Sequence, residues 1–521
     1  MKLKFSRKLR VLTFSLLATL AAIFCLYLYE TKDTRQFEQL SQDLLYTELS
    51  GNTISLHYTL AYPENYGLSA DPILPSSFTD VDTRAQVTEW QRRLSCIDPQ
   101  KLDPQDRYAY LLFDRFLALT LEGSDFTYYT DPLSPSSGMV SGLPVLLADY
   151  TFRTKKDVED YLGILEQTGA YFDALIRYEQ EKSSAGLFMS DTSADNVIEQ
   201  CDSIMDPVLL SDGSHFLQQT FTERLDGLAS DEIITGEEKQ RYIDKNNLLL
   251  TTVMAPAYER IGDAFLVLKG TGTNPYGLCY YPEGKEYYTY LLAQTTGSSR
   301  SIPEIRRLLE KDYQKNFHAL RDLVKNHPGL LKLSPEDFSL SLNMQNSYSD
   351  HPEEPGDTDL PTKPAATSDI LCRLSEAILD DLQKQMKPDF PKLTCIPEAK
   401  AGQEHDGESN SVSCQIKKVS SSMEAYSSPA YYLTPPIDDL WHNTIYLNEP
   451  NITDDLTLYT TLAHEGYPGH LYQTVYSQSF LNQQNASCIR SMLHYGGFVE
   501  GWAVYVENLS YGYAAQLTKN E

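Results

Sequence analysis

The sequence predicts a mainly α-helical protein, large and multi-helical, with a small β-sheet beside one of its C-terminal helices. Long stretches repeat apolar residues at three- and four-residue steps, the pattern of a helix with one buried face. Strand-like runs are few and short, and the clearest fall within 428–450. The chain has 521 residues and is 41% hydrophobic, which suits a substantial core and excludes a disordered protein.

The N-terminus comes first. MKLKFSRKLR (1–10) carries five basic side chains and no acid, and VLTFSLLATLAAIFCLYLY (11–29) is uncharged over nineteen residues. That length is close to the ~20 residues that span a bilayer core. Cleavage after Ala21 or Ala22 would leave the apolar IFCLYLY on the mature chain, so the segment reads as an uncleaved signal-anchor. The basic tip then stays in the cytoplasm and the rest lies outside the membrane. Secretion after cleavage is the alternative. Cys25 follows Phe24 instead of a small residue, which argues against a lipid-attachment site.

Helices are expected over 105–123, 156–182 and 302–327, the last opened by Pro303 and stopped by His327-Pro328-Gly329. NSYSDHPEEPGDTDLPTKPAATSD (346–369) and AGQEHDGESNSVS (401–413) are polar and read as surface loops. SPAYYLTP (428–435) and NTIYLNEP (443–450) read as strands, and DLTLYTTLAHEGY (455–467) resumes a helical pattern. The net charge of −29 excludes a phosphate-binding basic footprint, so nucleic acid is not expected as a partner. None of the eight cysteines forms a C-x-x-C pair; Cys395 with Cys414 is the nearest candidate disulfide, and buried free thiols are the alternative.

TLAHEGYPGH (461–470) carries the chemistry. His464 is followed at once by Glu465, and a second histidine, His470, lies six places on. In an unbroken helix, residues six apart point roughly 120° away from each other, too far for both imidazoles to reach one zinc at about 2.0–2.1 Å. Pro468 cannot donate to the carbonyl of His464 and crowds it, and Gly469 is conformationally permissive. A distortion there could return His470 to His464, leaving Glu465 placed to take a proton from a water. The plain alternative is a helix end that happens to hold two histidines. GGFVEGWAVYVENLS (496–510) supplies a third candidate ligand, Glu500, and a companion seven residues on, Glu507, in an otherwise apolar stretch. Glu500 could complete a His-His-Glu set with Glu507 orienting a histidine. Equally, the helix dipole could favour Glu500, or both glutamates could face water. His494 and His442 are rival ligands. Tyr431 and Tyr432 could line a substrate edge, and Arg490 could receive a substrate carboxylate.

At these residues the chain resembles the DUF885 family of bacterial proteins, regarded as zinc metallopeptidases of the gluzincin kind. HEGYPGHLYQ (464–473) and EGWAVYVENL (500–509) carry the resemblance; GLCYYPEGKEYYTYLLAQTTGSSRSIPEIRRLLEKDY (277–313) and PAYYLTPPIDD (429–439) extend it from about residue 35 to the end. It implies a metallopeptidase-like helical domain over 35–521 with its metal-site segment at 428–510. It further implies one zinc ion per chain held by His464, His470 and Glu500, Glu465 as base, and a peptide as substrate, with the membrane met through the N-terminal helix. Two departures stand out. The family pattern continues past the EGWA helix, whereas this chain reads as truncated, ending at QLTKNE; and the family's further histidine after the second ligand is Leu471 here. An inactive relative that binds peptides or wall material, and a zinc hydrolase of another amide or ester, are the competing readings.

Overall fold

The computed structural model describes residues 29, 31–68, 71–78, 81–272, 277–332, 367–395, 412–419, 421, 424 and 427–517. The basic tip at 1–10, the apolar segment at 11–29 apart from Tyr29, and the body of the polar stretches 346–369 and 401–413 lie outside them. Among the described residues no helix is long and apolar enough to cross a membrane.

The chain divides into two compact units. The first combines parts of Met1–Glu48, Asp80–Asp125 and Asn485–Leu493. Its helices Lys32–Ser50, Val81–Leu94 and Pro104–Gly123 present Phe37, Leu40 and Leu44, then Trp90 and Leu94, then Phe113 and Leu117, to one core. These spacings of three and four are the pattern of a single buried face. Asp103 caps the third helix by accepting from the backbone N–H groups of Gln105 and Asp106, and Pro104 follows at the first helical position, where its missing N–H costs nothing.

The second unit holds the remaining helices and the sheet. Its axis is Lys155–Ser184, thirty residues opened by a reciprocal capping box between Thr154 and Asp157. Met139–Ala148, Asp191–Ile204, Phe216–Ser230 and Ala255–Leu268 share its core, in which Leu165, Phe172, Phe221 and Phe265 are fully buried. The three helices expected from periodicity are found at Pro104–Gly123, Lys155–Ser184 and Ile302–Asn326.

Three strands make one sheet in the order β1-β3-β2: β1 (Ser413–Lys418) runs parallel to β3 (His442–Leu447), and β2 (Ala430–Leu433) antiparallel to it. β2 and β3 match the strand expectations at 428–435 and 443–450. β1 begins at the end of what reads as a polar loop. Its signal is weak because SCQIKK has one buried side chain, Ile416, among polar neighbours. Likewise Thr367, within the other polar stretch, already opens the helix Thr367–Gln385. Alternation along β3 puts Ile445 and Leu447 in a core shared with Ile378 and Leu382 of that helix and with Leu458 and Leu462. On the other face Tyr446 stacks on Tyr431 at 4.9 Å, and its hydroxyl donates to Asp149, which also holds Lys417 at 2.7 Å. The sheet is thus fixed from both sides. Cys395 and Cys414 are both free thiols, so the candidate pair between them is not formed.

Candidate metal centre

The first site-bearing helix, here the HE helix, is Asp455–Glu465. Asp454 caps its start, accepting from the Thr457 N–H at 3.0 Å, and Leu458, Leu462 and Ala463 bury one side. The helix is not merely kinked at its end. It stops at Gly466, residues 466–469 form a short break, and a second helix starts on His470 (His470–Gln483). Gly469 has a negative φ of −78°, so left-handed geometry is not what demands glycine there. Close approach is: a Cβ on Gly469 would lie 1.8 Å from the carbonyl oxygen of His464 and 2.3 Å from that of Ala463. The break therefore folds flat against the last turn of the HE helix and brings His470 beside His464. From the EGWA helix (Gly496–Leu517), the Trp502 indole donates to the Pro468 carbonyl at 2.9 Å and pins the break from the far side.

The two imidazole rings sit 4.9 Å apart, nearly perpendicular. Glu500 reaches both, with one carboxylate oxygen 3.5 Å from His464 Nε2 and the other 3.6 Å from His470 Nε2. The donor atoms of His464, His470 and Glu500 all lie within 4.8 Å of one another, the one such group of metal-ligating side chains among the described residues. Ligands at zinc bond lengths of 2.0–2.1 Å form a tetrahedron with edges of roughly 3.3 Å, so the two histidine–glutamate distances need little adjustment. Glu507 accepts from His464 Nδ1 at 2.9 Å, which turns Nε2 of that ring toward Glu500 and His470. Burial lowers the pKa of His470, opposed by Glu500, and so favours the neutral, metal-binding imidazole. The donor set fits a zinc ion of the three-ligand type with one position open.

Glu465, the last residue of the HE helix, lines the same pocket as the three ligands. It is buried, and its Oε2 accepts the backbone N–H of Tyr432 in β2 at 2.9 Å. Burial pushes its pKa up to about 7, with Glu500 and Glu507 adding to the rise and His464 and the Tyr432 N–H opposing it. A pocket of about 440 Å³ opens over the cluster, walled by β2 on one side and by the HE and EGWA helices on the other.

The site residues expected from the sequence separate cleanly. His464, His470, Glu500, Glu465 and Glu507 are gathered at this pocket, and Tyr431 and Tyr432 line it. His494 is exposed ahead of the EGWA helix and outside the ligand group. His442 begins β3 and pairs with Asp439 at 3.0 Å, which holds its pKa above the usual histidine value. Arg490 belongs to the first unit, where it donates to Gln105 at 3.0 Å and lies over the Tyr108 ring; it does not line the pocket. Besides Pro429 and Ala430, two polar lining residues, Thr461 and Ser428, are not among the candidates the sequence offers. Thr461 sits three residues before His464, one turn back on the helix, and that spacing could have flagged it; Ser428, which donates to the Ala430 carbonyl, carries no such signal.

No curated protein matches this chain. A crystal structure from Colwellia psychrerythraea, described as a "putative lipoprotein", superposes with a TM-score of 0.69 at 16% identity, covering 94% of this chain and 79% of that one. A second, from Shewanella oneidensis and described as a "putative lipoprotein of unknown function", gives a TM-score of 0.48 at 17% identity, covering 92% and 77%. The first likeness establishes a shared fold. The model of the family described as bacterial protein of unknown function, DUF885, matches residues 74–517, and the chain belongs to that family.

Proposed function

We propose that this protein is a zinc-dependent peptidase working outside the cytoplasm at a membrane. The observation that carries the reading is the convergence of His464, His470 and Glu500 from three helices onto one point, with a buried carboxylate, Glu465, beside it. When bound, zinc supplies a Lewis acid that polarises a carbonyl and acidifies water. The chain's own residues do the rest. Glu465 accepts a proton from the attacking water and returns it to the departing amine nitrogen, held in place for both transfers by the Tyr432 N–H. Glu507 keeps His464 in one tautomer and orientation. β2 is an edge strand, and Ala430, two residues before Tyr432, turns its backbone groups to the same side. An extended peptide laid along that edge would place a main-chain carbonyl over the cluster.

The uncharged segment 11–29 behind a basic tip supports a single-pass anchor with the helical domain outside, and the fold shared with a protein described as a lipoprotein is in keeping with an extracytoplasmic place. The test is cleavage of a mixed peptide library by the full chain beside Glu465→Gln. Zinc-dependent cutting that the variant loses while keeping its metal supports the reading. A folded, zinc-loaded wild type that cuts no peptide overturns it.

A further inference from the structure

Away from the site, Ile302–Asn326 is a helix of twenty-five residues with no buried side chain. A reciprocal capping box between Ser301 and Glu304 and Pro303 in the first turn define its start, so it is a well-formed element. Its apolar residues nevertheless follow one face. Leu309, Tyr313, Phe317, Leu320 and Leu323 recur at steps of three and four and keep from 49% to 66% of their surface exposed. At 100° per residue, Arg307, Lys311, Lys315, Arg321 and Lys325 gather on the opposite side. The helix carries six basic against four acidic side chains, a net of +2, within a chain whose total is −29.

We infer that this helix lies on an anionic phospholipid surface. A broad apolar stripe with low overall hydrophobicity and a Lys/Arg-rich polar face is the composition of a helix that rests in the plane of a bilayer interface. Its charge is opposite to that of the rest of the protein and complementary to acidic headgroups. This inference goes beyond the peptidase reading and does not depend on it.

The experiment is amide hydrogen exchange on the full chain in nanodiscs of phosphatidylcholine alone and of phosphatidylcholine with phosphatidylglycerol. Amides of 302–326 should exchange roughly tenfold or more slowly in the anionic discs, since each nearby Lys or Arg adds attraction, and the effect should shrink in high salt. Recovery of the protein with the neutral discs reports the anchor separately. Leu309→Asp with Leu320→Asp, at positions already 66% and 58% exposed, should abolish the slowing while exchange elsewhere is unchanged. Equal exchange in the two disc types overturns the inference. So does slowing that appears without lipid and grows with protein concentration, which would identify a second copy as the occupant.

Discussion

Glu465 and Glu507 flank one histidine and should fail differently when removed. Glu465 touches no metal-ligand nitrogen but holds the Tyr432 N–H, so Glu465→Gln preserves the shape and that hydrogen bond while removing the base. Turnover should fall by about 10²–10⁴-fold with zinc content unchanged, read by kcat alongside metal analysis. Glu507 acts through His464 Nδ1, and Glu507→Ala should weaken zinc affinity by about 10–100-fold, read by competition with a chromogenic chelator. An equal loss of metal in both variants would merge the two roles. Arg490→Ala should leave peptide turnover unchanged, because its partners are Gln105 and Tyr108 of the first unit.

The break between the helices decides whether two histidines six apart can act together. Gly469→Ala places a methyl group into the last turn of the HE helix, 1.8 Å from the His464 carbonyl as the backbone stands. Relief requires the break to lift away, and overpacking of this kind costs about 1–3 kcal/mol. The expected result is a lowered thermal midpoint together with loss of zinc, checked by calorimetry and metal analysis. A variant with wild-type zinc content would show that the break tolerates bulk and that its flat packing is incidental. Elsewhere the long helices were legible because Lys155–Ser184 and Ile302–Asn326 carry both periodicity and capping residues. The site was legible because its donors cluster in two segments, 464–470 and 500–507. What the sequence hid depends on distant partners: β1 is a strand only because β3 pairs with it, Ser428 matters only through β2, and Arg490 reads as available until Gln105 and Tyr108 are placed beside it. The need for Gly469 was visible, but its cause, a contact instead of an unusual φ, required the folded chain.

Across the whole molecule, stability should depend on pH through a group remote from the pocket. Glu179 is fully buried on the long helix Lys155–Ser184, and neither carboxylate oxygen has a hydrogen-bond partner among the described residues. Burial raises its pKa from 4.5 to about 7, against the pull of nearby Lys182. A folded-state pKa above the unfolded one means the native chain holds the proton more tightly, so the contribution is fully present below about pH 4 and lost as pH rises through about 7. The size is on the order of 3 kcal/mol, from a shift of about two and a half units. Denaturant unfolding of Glu179→Gln should therefore lose much of the wild type's decline between pH 5 and 8; an undiminished decline would assign that loss to other groups.

The convergence of His464, His470 and Glu500 is the centre of the account, and metal content tests it most directly. Mass spectrometry on the purified full chain should find close to one zinc per molecule, with the metal lost from both His464→Ala and Glu500→Ala while each variant remains folded by circular dichroism. A folded wild type that takes up no zinc, or variants that keep it, would contradict the account and leave TLAHEGYPGH as two helix ends that happen to meet.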